Sequence, residues 1–323
     1  PSKKSFAGPT LERLPCETLY VMWFHLTQSS KAAIEMLEIN LFNRTVFMKG
    51  LIFMKLYMPK ILGIVNITED SFSDGGLYLN YDKALAKSLK LIEDGADIID
   101  LGAASSNPAS KEIKPQEEIN RLKPVIDHLL SKNISVSIDS FKPDVQRYAL
   151  KSRVQYLNDI QGFPYTEIYP ELAESNCKLI VMHSIQRLGP ATVIETKPEK
   201  VLDEIIDFFL QRIKSLQNSG ISLDRIILDP GMGFFLGSNP ESSIYVLKNI
   251  LRLKEYFNLP ILVSVSRKSF LGTIVGREVN ERGSATLATE IYLSYLGVDY
   301  IRTHDVRALN DALKMFKTLN LIE

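Results

Sequence analysis

The sequence predicts an α/β protein, a (β/α)8 TIM barrel preceded by an N-terminal extension. Short apolar runs rich in β-branched residues alternate with amphipathic segments of helical period from residue 60 onward. There are eight such runs, and the region from residue 58 to residue 323 has the length that eight strand-helix units need. Strand-helix alternation implies a parallel sheet, and eight strands are the number that closes it into a barrel.

Each element follows from its local pattern. The predicted strands are 60–65, 97–102, 134–138, 155–160, 178–182, 225–229, 261–265 and 299–302. The predicted helices lie near 81–94, 115–131, 143–152, 167–175, 199–218, 241–257, 284–296 and 307–319. A doubly wound open sheet is the structural alternative. It is disfavoured because no Gly-x-Gly-x-x-Gly pattern follows the first strand and because eight strands suit closure.

The composition is that of an ordinary globular domain, with 45% apolar and 24% charged residues. Its 38 basic and 38 acidic residues balance, which argues against a nucleic-acid partner, since binding phosphates requires a clustered basic excess. The two cysteines cannot form a disulfide framework, and no uninterrupted apolar run reaches 18 residues. We therefore expect a cytoplasmic protein without a membrane or nucleic-acid partner.

Residues 1–57 differ from the rest and are predicted to be an N-terminal extension. They contain the only tryptophan, Trp23, four of the eight methionines, and seven basic against four acidic residues. A leader, or a segment derived from the expression vector, is the favoured interpretation. A membrane-surface or partner-binding helix over 30–41 is the alternative. Residues 58–323 are predicted to be the catalytic domain, with Met58 as a natural initiator.

Polar side chains follow the carboxyl end of every predicted strand, where barrel enzymes hold their active sites. They are Asn66, Ser105, Ser106, Asn107, Asp139, Asn158, Asp159, His183, Ser184, Asp229, Ser266, Arg267, Lys268, Arg302 and His304. For Asp159 and Ser184, a structural role in the loop backbone is the better interpretation. The remaining set predicts a ligand site, because charges gathered in one buried mouth are costly without partners.

The residue types narrow the ligand. Asp139, Asn158, Asp229 and Lys268 suit a flat, nitrogen-rich heterocycle, since carboxylates pair with amidine-like N–H groups and the ammonium meets a carbonyl oxygen or ring nitrogen. Arg302 can stack on such a ring or bind an anion. The remaining donors suit a phosphate, namely Asn66, Ser106 and His304. Asn66 could also ligate Mg2+.

Other enzyme classes lack support in the sequence. There is no His-Glu-x-x-His motif, no Cys/His metal cluster, no P-loop and no Gly-x-Ser-x-Gly motif. Two loops are predicted to be lids or specificity walls, because glycines permit hinge conformations and aromatic residues exclude water. They are 68–76 (TEDSFSDGG) and 230–240 (PGMGFFLGSNP).

The motifs resemble those of the dihydropteroate synthase family. They are GIVNIT at 63–68 with DSFSDGG at 70–76, NDI at 158–160, DPGMGF at 229–234, SRKS at 266–269 and RTHD at 302–305. The resemblance runs in order over 58–323 and does not include 1–57. It implies a barrel enzyme, commonly a homodimer, that condenses 6-hydroxymethyl-7,8-dihydropterin pyrophosphate with p-aminobenzoate in the presence of Mg2+.

The same resemblance implies roles for individual residues. It assigns pterin binding to Asp139, Asn158, Asp229, Lys268 and Arg302. It assigns the pyrophosphate to Asn66, Ser106, Arg302 and His304, with Asn66 as the metal ligand. Phe72, Asp74 and Ser269 would border the p-aminobenzoate site. Asp139, Lys268 and Asp74 are the expected catalytic residues.

Two departures resemble the sulfonamide-resistant, Sul-type members of the family. The loop after the second strand reads GAASSNP at 102–108, where housekeeping enzymes read Gly-Glu-Ser-Thr-Arg-Pro. The loop after the sixth strand is two residues longer through Phe235 and Leu236. We expect an aromatic wall, Phe235 or alternatively Phe234, to clash with the bulkier sulfonamide and confer antibiotic resistance. A simple repacking of this loop is the competing interpretation.

Two other functions remain alternatives to the synthase. Methyltetrahydrofolate methyltransferases share a pterin-binding barrel, but the long DSFSDGG loop and the SRKS segment favour the synthase. A catalytically silent pterin-binding paralogue is disfavoured because every candidate group is present.

Overall fold

The computed structural model describes residues 57–67, 77–104, 113–186 and 197–320. Within this part, eight strands alternate with helices. The strands are β1 (Lys60–Asn66), β2 (Ile98–Gly102), β3 (Val136–Asp139), β4 (Tyr156–Asp159), β5 (Lys178–Met182), β6 (Ile226–Asp229), β7 (Leu262–Val263) and β8 (Tyr300–Thr303). The predicted extension, 1–57, lies outside the described residues except for Tyr57, so its role stays a prediction.

The helices surround the strands, as predicted for a barrel. They are α1 (Leu77–Glu93), α2 (Pro115–Ser131), α3 (Pro143–Lys151), α4 (Tyr169–Glu174), α5 (Pro198–Asn218), α6 (Pro240–Lys248), α7 (Ile250–Phe257), α8 (Ser269–Val275), α9 (Gly283–Tyr295) and α10 (Val306–Asn320). The long helix predicted over 241–257 is two helices, because Asn249 interrupts it. None of the helices in the described ranges is both long and apolar enough to cross a lipid bilayer.

The sheet is parallel and closes on itself. Its strands pair in the order β6-β5-β4-β3-β2-β1-β8-β7. A single parallel bridge between Leu228 and Ile261 joins the two remaining edges. The prediction of a closed (β/α)8 barrel is therefore confirmed, and the open doubly wound alternative is wrong.

The barrel interior is filled in layers, because alternate residues of each strand point inward. One buried apolar layer consists of Leu62, Ile98, Tyr156, Ile180, Ile227, Leu262 and Tyr300. Two residues further along the same strands come Ile64, Asp100, Asn158, Met182, Asp229, Ser264 and Arg302. The apolar layer closes the floor of the barrel, and the polar residues above it face the carboxyl-terminal mouth.

Candidate active site

A cavity opens at the carboxyl-terminal mouth of the barrel. Its lining contains all five residues predicted to bind a heterocycle: Asp139, Asn158, Asp229, Lys268 and Arg302. Its other lining residues are Ile160, Met182, Met232, Phe235 and Ser264. The cavity thus pairs apolar and aromatic walls with convergent polar groups, as small-molecule sites do.

Arg302 organises one side of the cavity from the end of β8. Its Nε donates to Asp100 Oδ2 at 2.6 Å, and its terminal nitrogen donates to Asp139 Oδ2 at 2.7 Å. Burial lowers the pKa of Arg302, but the two carboxylates outweigh this effect and raise it overall. The guanidinium is therefore a permanent, well-oriented cation in the cavity wall.

Asp100 is the functional residue that sequence reasoning missed. It lies in β2, is fully buried, and its Oδ1 has no hydrogen-bond partner among the described residues. The signal was present in the sequence, since Asp100 comes two residues after Ile98 and therefore points into the barrel. A carboxylate inside an apolar strand requires a partner, and here that partner is Arg302.

Asp139 faces the same guanidinium from the end of β3. Burial raises the pKa of the Asp139 carboxyl, Arg302 opposes this shift, and the negative charge of Asp100 adds to it. Asn66, at the end of β1, lies nearby, since its Oδ1 and Asp139 Oδ2 lie 3.7 and 3.8 Å from the position that a Cβ on Gly102 would take. The absence of a side chain at Gly102 keeps the space between them open.

Asp229 and Lys268 bring opposite charges to the same cavity. Burial raises the pKa of Asp229 to about 6, an effect opposed by the Gly231 N–H and by Lys268. Burial also lowers the pKa of Lys268 to about 8, and Asp229 opposes that shift. At neutral pH both groups are therefore mostly charged and available to a polar ligand. Asn158 lines the same cavity, and its buried Oδ1 also lacks a partner among the described residues.

The segment after β6 is ordered by packing and does not resemble a free lid. Gly233–Leu236 form a 3-10 turn, Leu236 is fully buried in the main core, and the Gly233 N–H donates to Ser243 Oγ at 2.9 Å. Phe235 packs with Ile160 and Met182, and its ring centroid lies 4.8 Å from Lys268 Nζ. The neighbouring Phe234 is 45% exposed.

Gly231 is required at the start of this segment. Its φ is +74°, and a Cβ there would overlap the carbonyl oxygen of His183. Its N–H donates to Asp229 Oδ1 at 2.8 Å. A glycine at this position therefore lets the chain turn tightly and fixes the carboxylate orientation.

Ser266 and His304 meet on the other side of the mouth. Ser266 Oγ lies 2.9 Å from His304 Nδ1 and accepts the His304 backbone N–H at 3.1 Å. Burial, followed by the charge of Arg302, lowers the pKa of His304 to about 3, so its imidazole is neutral at physiological pH. Ser269 is half-buried at the start of α8, with its Oγ beside Gly233.

Several predicted residues lie elsewhere or outside the described ranges. Asp159 accepts the Gln161 N–H and the Gln146 side-chain amide, each at 2.8 Å, which confirms its structural role. The prediction that His183 points into the mouth is wrong, because its buried ring faces the Pro230 carbonyl oxygen and stacks edge-on against Phe208. Five predicted positions lie outside the described residues: Phe72, Asp74, Ser105, Ser106 and Asn107.

The described side chains at the mouth supply only part of the ligand shell that a hard cation needs. No group of three or more His, Cys, Asp or Glu side chains in the described ranges could hold a metal ion. Asn66 offers one exposed amide oxygen at the end of β1. Mg2+ usually takes one or two protein oxygens and completes its shell with water and substrate phosphates. Asn66 therefore fits an ion that binds together with a phosphate.

Comparison with known proteins decides the family. The model of the pterin binding enzyme family matches residues 62–304. A dihydropteroate synthase type-3 from Escherichia coli is 59% identical over 262 residues, which cover 81% of this chain and 100% of that protein. The chain belongs to the dihydropteroate synthase family. It is an enzyme, a transferase that forms a C–N bond in folate synthesis.

Further relatives agree with this assignment. A dihydropteroate synthase type-2 from Escherichia coli is 51% identical and covers 80% of this chain and 95% of its own. The dihydropteroate synthase of Xanthomonas albilineans, solved with 4-aminobenzoic acid, has a TM-score of 0.75 at 32% identity, covering 83% of this chain and 95% of that one. The synthase of Anaplasma phagocytophilum, solved with 6-hydroxymethylpterin-monophosphate, has a TM-score of 0.72 at 36% identity. The match covers 81% of this chain and 99% of that one. The resemblance to the synthases is confirmed, and the methyltransferase alternative is not favoured.

Proposed function

We propose that this synthase binds its pterin substrate in the cavity at the barrel mouth and makes 7,8-dihydropteroate there from 6-hydroxymethyl-7,8-dihydropterin pyrophosphate and p-aminobenzoate. The observation that carries the placement is the convergence of Asp139, Asn158, Asp229, Lys268 and Arg302 on one cavity. The relatives solved with 6-hydroxymethylpterin-monophosphate and with 4-aminobenzoic acid support both substrate classes.

The pterin ring would lie among the polar groups above the apolar floor. Asp229 accepts N–H groups from the amidine-like edge, and the Asn158 amide supplies one donor and one acceptor. Lys268 donates to a carbonyl oxygen or ring nitrogen, while its ammonium rests over the Phe235 ring. The Arg302 guanidinium, held at both carboxylates, offers a flat face for stacking.

The pyrophosphate would lie toward Asn66, Arg302 and His304, with Ser106 as a further donor. Asn66 would hold Mg2+ together with the bound phosphate, and the ion would neutralise charge on the leaving group. Arg302 adds positive charge, and the neutral His304 ring can donate a hydrogen bond without competing for a proton.

The chemistry is a dissociative substitution at the pterin methylene. The C–O bond to pyrophosphate breaks and its electron pair leaves with the phosphate oxygen. Asp139 and the electron-rich ring stabilise the carbocation-like methylene, and the arylamine nitrogen donates its lone pair to form the C–N bond before losing a proton. Because an arylamine is a weak nucleophile, its orientation near Phe72, Asp74 and Ser269 contributes much of the rate.

The direct test is product formation by the purified full chain. With both substrates and Mg2+ we expect equal amounts of dihydropteroate and pyrophosphate. Asp139→Ala and Lys268→Ala should each lower kcat by orders of magnitude. Near-normal turnover in folded Asp139→Ala protein would refute the assignment of the site.

We also propose that the chain is a sulfonamide-insensitive form, and that Phe235 provides the discrimination. Its ring lines the cavity and is fixed between Lys268 and the side chains of Ile160 and Met182, which makes it a rigid wall. A rigid wall rejects a bulky tetrahedral sulfonyl group more strongly than it rejects a flat carboxylate.

Single substitutions test this better than deletion of Phe235 and Leu236, because Leu236 is a fully buried core residue. Phe235→Ala should lower the inhibition constant of a sulfonamide by at least about tenfold, while the matched change Phe234→Ala, at an exposed side chain, has a smaller effect. If Phe234→Ala alone restores inhibition, Phe234 is the wall. If neither does, the inserted residues only repack the loop.

Three further properties are proposals from the family. The homodimer is supported by exposed apolar side chains on and between α8 and α9, such as Ile274, Val279 and Tyr292. Sedimentation of the full chain at micromolar concentration would test it. Cytoplasmic location and a dispensable segment 1–57 complete the proposal. Complementation of a synthase-deficient bacterium by the full chain and by 58–323, with and without sulfonamide, would test whether segment 1–57 is dispensable.

A further inference from the structure

A buried acid lies behind the phosphate side of the site and takes no part in the chemistry described above. Glu290, on α9, is 1% exposed, and its Oε1 has no hydrogen-bond partner within the described part of the chain. Its carboxyl lies beside the Thr303 side chain at the end of β8, close enough to interact with the Thr303 hydroxyl. Burying a carboxyl among apolar residues is costly, so its presence here calls for a function.

A hydrogen-bonded path leads from Thr303, the neighbour of the Glu290 carboxyl, to His304. Thr303 Oγ1 donates to Ser266 Oγ at 3.4 Å, and Ser266 Oγ lies 2.9 Å from His304 Nδ1. Two backbone N–H groups fix the hydroxyls, since His304 N–H donates to Ser266 Oγ at 3.1 Å and Asp305 N–H donates to Thr303 Oγ1 at 3.3 Å.

We propose that Glu290 is a positioning residue that acts through Thr303 and Ser266 to set the tautomer of His304, so that Nε2 carries the proton and can donate to the departing pyrophosphate. This inference rests on the proposed placement of the pyrophosphate beside His304. It concerns a residue that touches neither substrate.

The protonation state of Glu290 decides which group donates in each hydrogen bond of the path. A neutral Glu290 donates its proton to Thr303, whose hydroxyl donates to Ser266, whose hydroxyl donates to His304 Nδ1. The ring proton then lies on Nε2. An ionised Glu290 accepts from Thr303, which reverses the path, moves the ring proton to Nδ1 and leaves a lone pair on Nε2 facing the phosphate.

The electrostatics of the site support the neutral state. Burial raises the pKa of Glu290 to about 8; the Thr303 hydrogen bond opposes this shift and the negative charge of Asp305 adds to it. Because the pKa is raised, the neutral acid dominates below about pH 8 and the carboxylate above it. The His304 ring stays uncharged throughout this range, because burial and the nearby cations Arg302, Arg267, Lys87 and Lys268 lower its pKa to about 3.

The test is the tautomer itself, measured by 15N NMR on the full chain labelled at its four histidines. The His304 signal is assigned by its loss in His304→Gln. In the wild-type protein we expect the Nε2–H form at pH 6.5 and a change toward Nδ1–H as the pH rises through about 8. Glu290→Gln should retain Nε2–H up to pH 9.5, because the amide donates to Thr303 and cannot ionise.

Kinetics add a second readout. Thr303→Val, which removes the hydroxyl at nearly constant shape, should mix the tautomers and lower kcat/KM for the pterin pyrophosphate by about tenfold, with KM for p-aminobenzoate unchanged. Between pH 7 and pH 9, kcat/KM should fall less in Glu290→Gln than in the wild type. The fall that remains is due to deprotonation of Lys268, whose pKa is about 8.

Ser294→Ala is the matched control. Ser294 is a buried residue one turn further along α9, and its hydroxyl donates to the Glu290 backbone oxygen at 3.0 Å, away from Thr303 and Ser266 in chain position. This variant should change neither the tautomer nor the pH profile. A wild-type tautomer that stays constant from pH 6 to 9.5, and is the same in Glu290→Gln, would overturn the inference. The NMR measurement needs no substrate, so absence of dihydropteroate formation would refute the proposed function without deciding this one.

Discussion

Asp100→Asn should shift the pH dependence of catalysis, because Asp100 and Asp139 share one guanidinium. Arg302 donates to Asp100 at 2.6 Å and to Asp139 at 2.7 Å. The asparagine keeps the shape and one oxygen acceptor but removes a negative charge. Without that charge the pKa of Asp139 falls, so its carboxylate persists to lower pH and the acid limb of kcat/KM moves to lower pH.

The size of the shift can be bounded. Two like charges roughly 5 Å apart in an effective dielectric of about 20 interact by about 3 kcal/mol, which equals about two pH units. We therefore expect a shift of about one to two pH units. Unfolding free energy should fall by about 1.5–3 kcal/mol, the usual contribution of a hydrogen bond to a charged group.

The assay combines a pH profile of kcat/KM with urea unfolding at pH 7. Asp97→Asn is the matched control, since Asp97 precedes the same strand and accepts the Ile61 N–H at 2.7 Å, away from the cavity. It should lower stability without moving the acid limb. An acid limb at the same pH in Asp100→Asn and the wild type would show that the coupling of the two carboxylates through Arg302 is wrong.

Three further changes test packing and charge around the site. Gly231→Ala should lower the free energy of unfolding by about 1–3 kcal/mol through backbone strain alone, and overlap with His183 should lower it further. Thermal unfolding would measure this loss, and an unchanged melting temperature would contradict the tight turn. Glu118→Gln should destabilise the protein by about 3–5 kcal/mol, because it leaves buried Lys142 without the carboxylate 3.0 Å away. The exposed pair of Lys123 and Asp127 has the same 3.0 Å separation, so Asp127→Asn is its control and should leave unfolding unchanged. Phe235→Ala should raise the Michaelis constant for the pterin substrate several-fold, because the Lys268 ammonium loses the ring 4.8 Å below it; a constant equal to that of Phe234→Ala would contradict this.

The sequence predicted most of the site because the barrel makes position along a strand informative. Three of the polar residues near strand ends, Asn158, Asp229 and Arg302, follow an inward apolar residue by two positions. That spacing keeps them on the interior face and near the mouth. Asp100 obeys the same rule after Ile98 but was missed, because it lies two residues before the end of its strand and resembles part of an apolar run.

His183 shows the limit of this reasoning. It follows β5 like the others but falls on the outward position after Met182, which takes the place in the cavity. Alternation along a strand shows which residues share a face, but it does not show which face points inward at the strand end. That choice depends on the register of the strand with its neighbours. The buried ring of His183 instead packs against Phe208 of α5.

By itself, the sequence determined the barrel, the family and the chemical character of the site, because periodicity and motifs are local properties of the chain. Only the tertiary structure decided which groups share a partner. Asp100 and Asp139 meet on Arg302, which lies 202 and 163 residues away along the chain. Thr303 of β8, which neighbours Glu290, is linked to His304 through Ser266 of the segment after β7. Such pairings depend on strand register and helix packing, and they set the protonation states from which the chemistry follows.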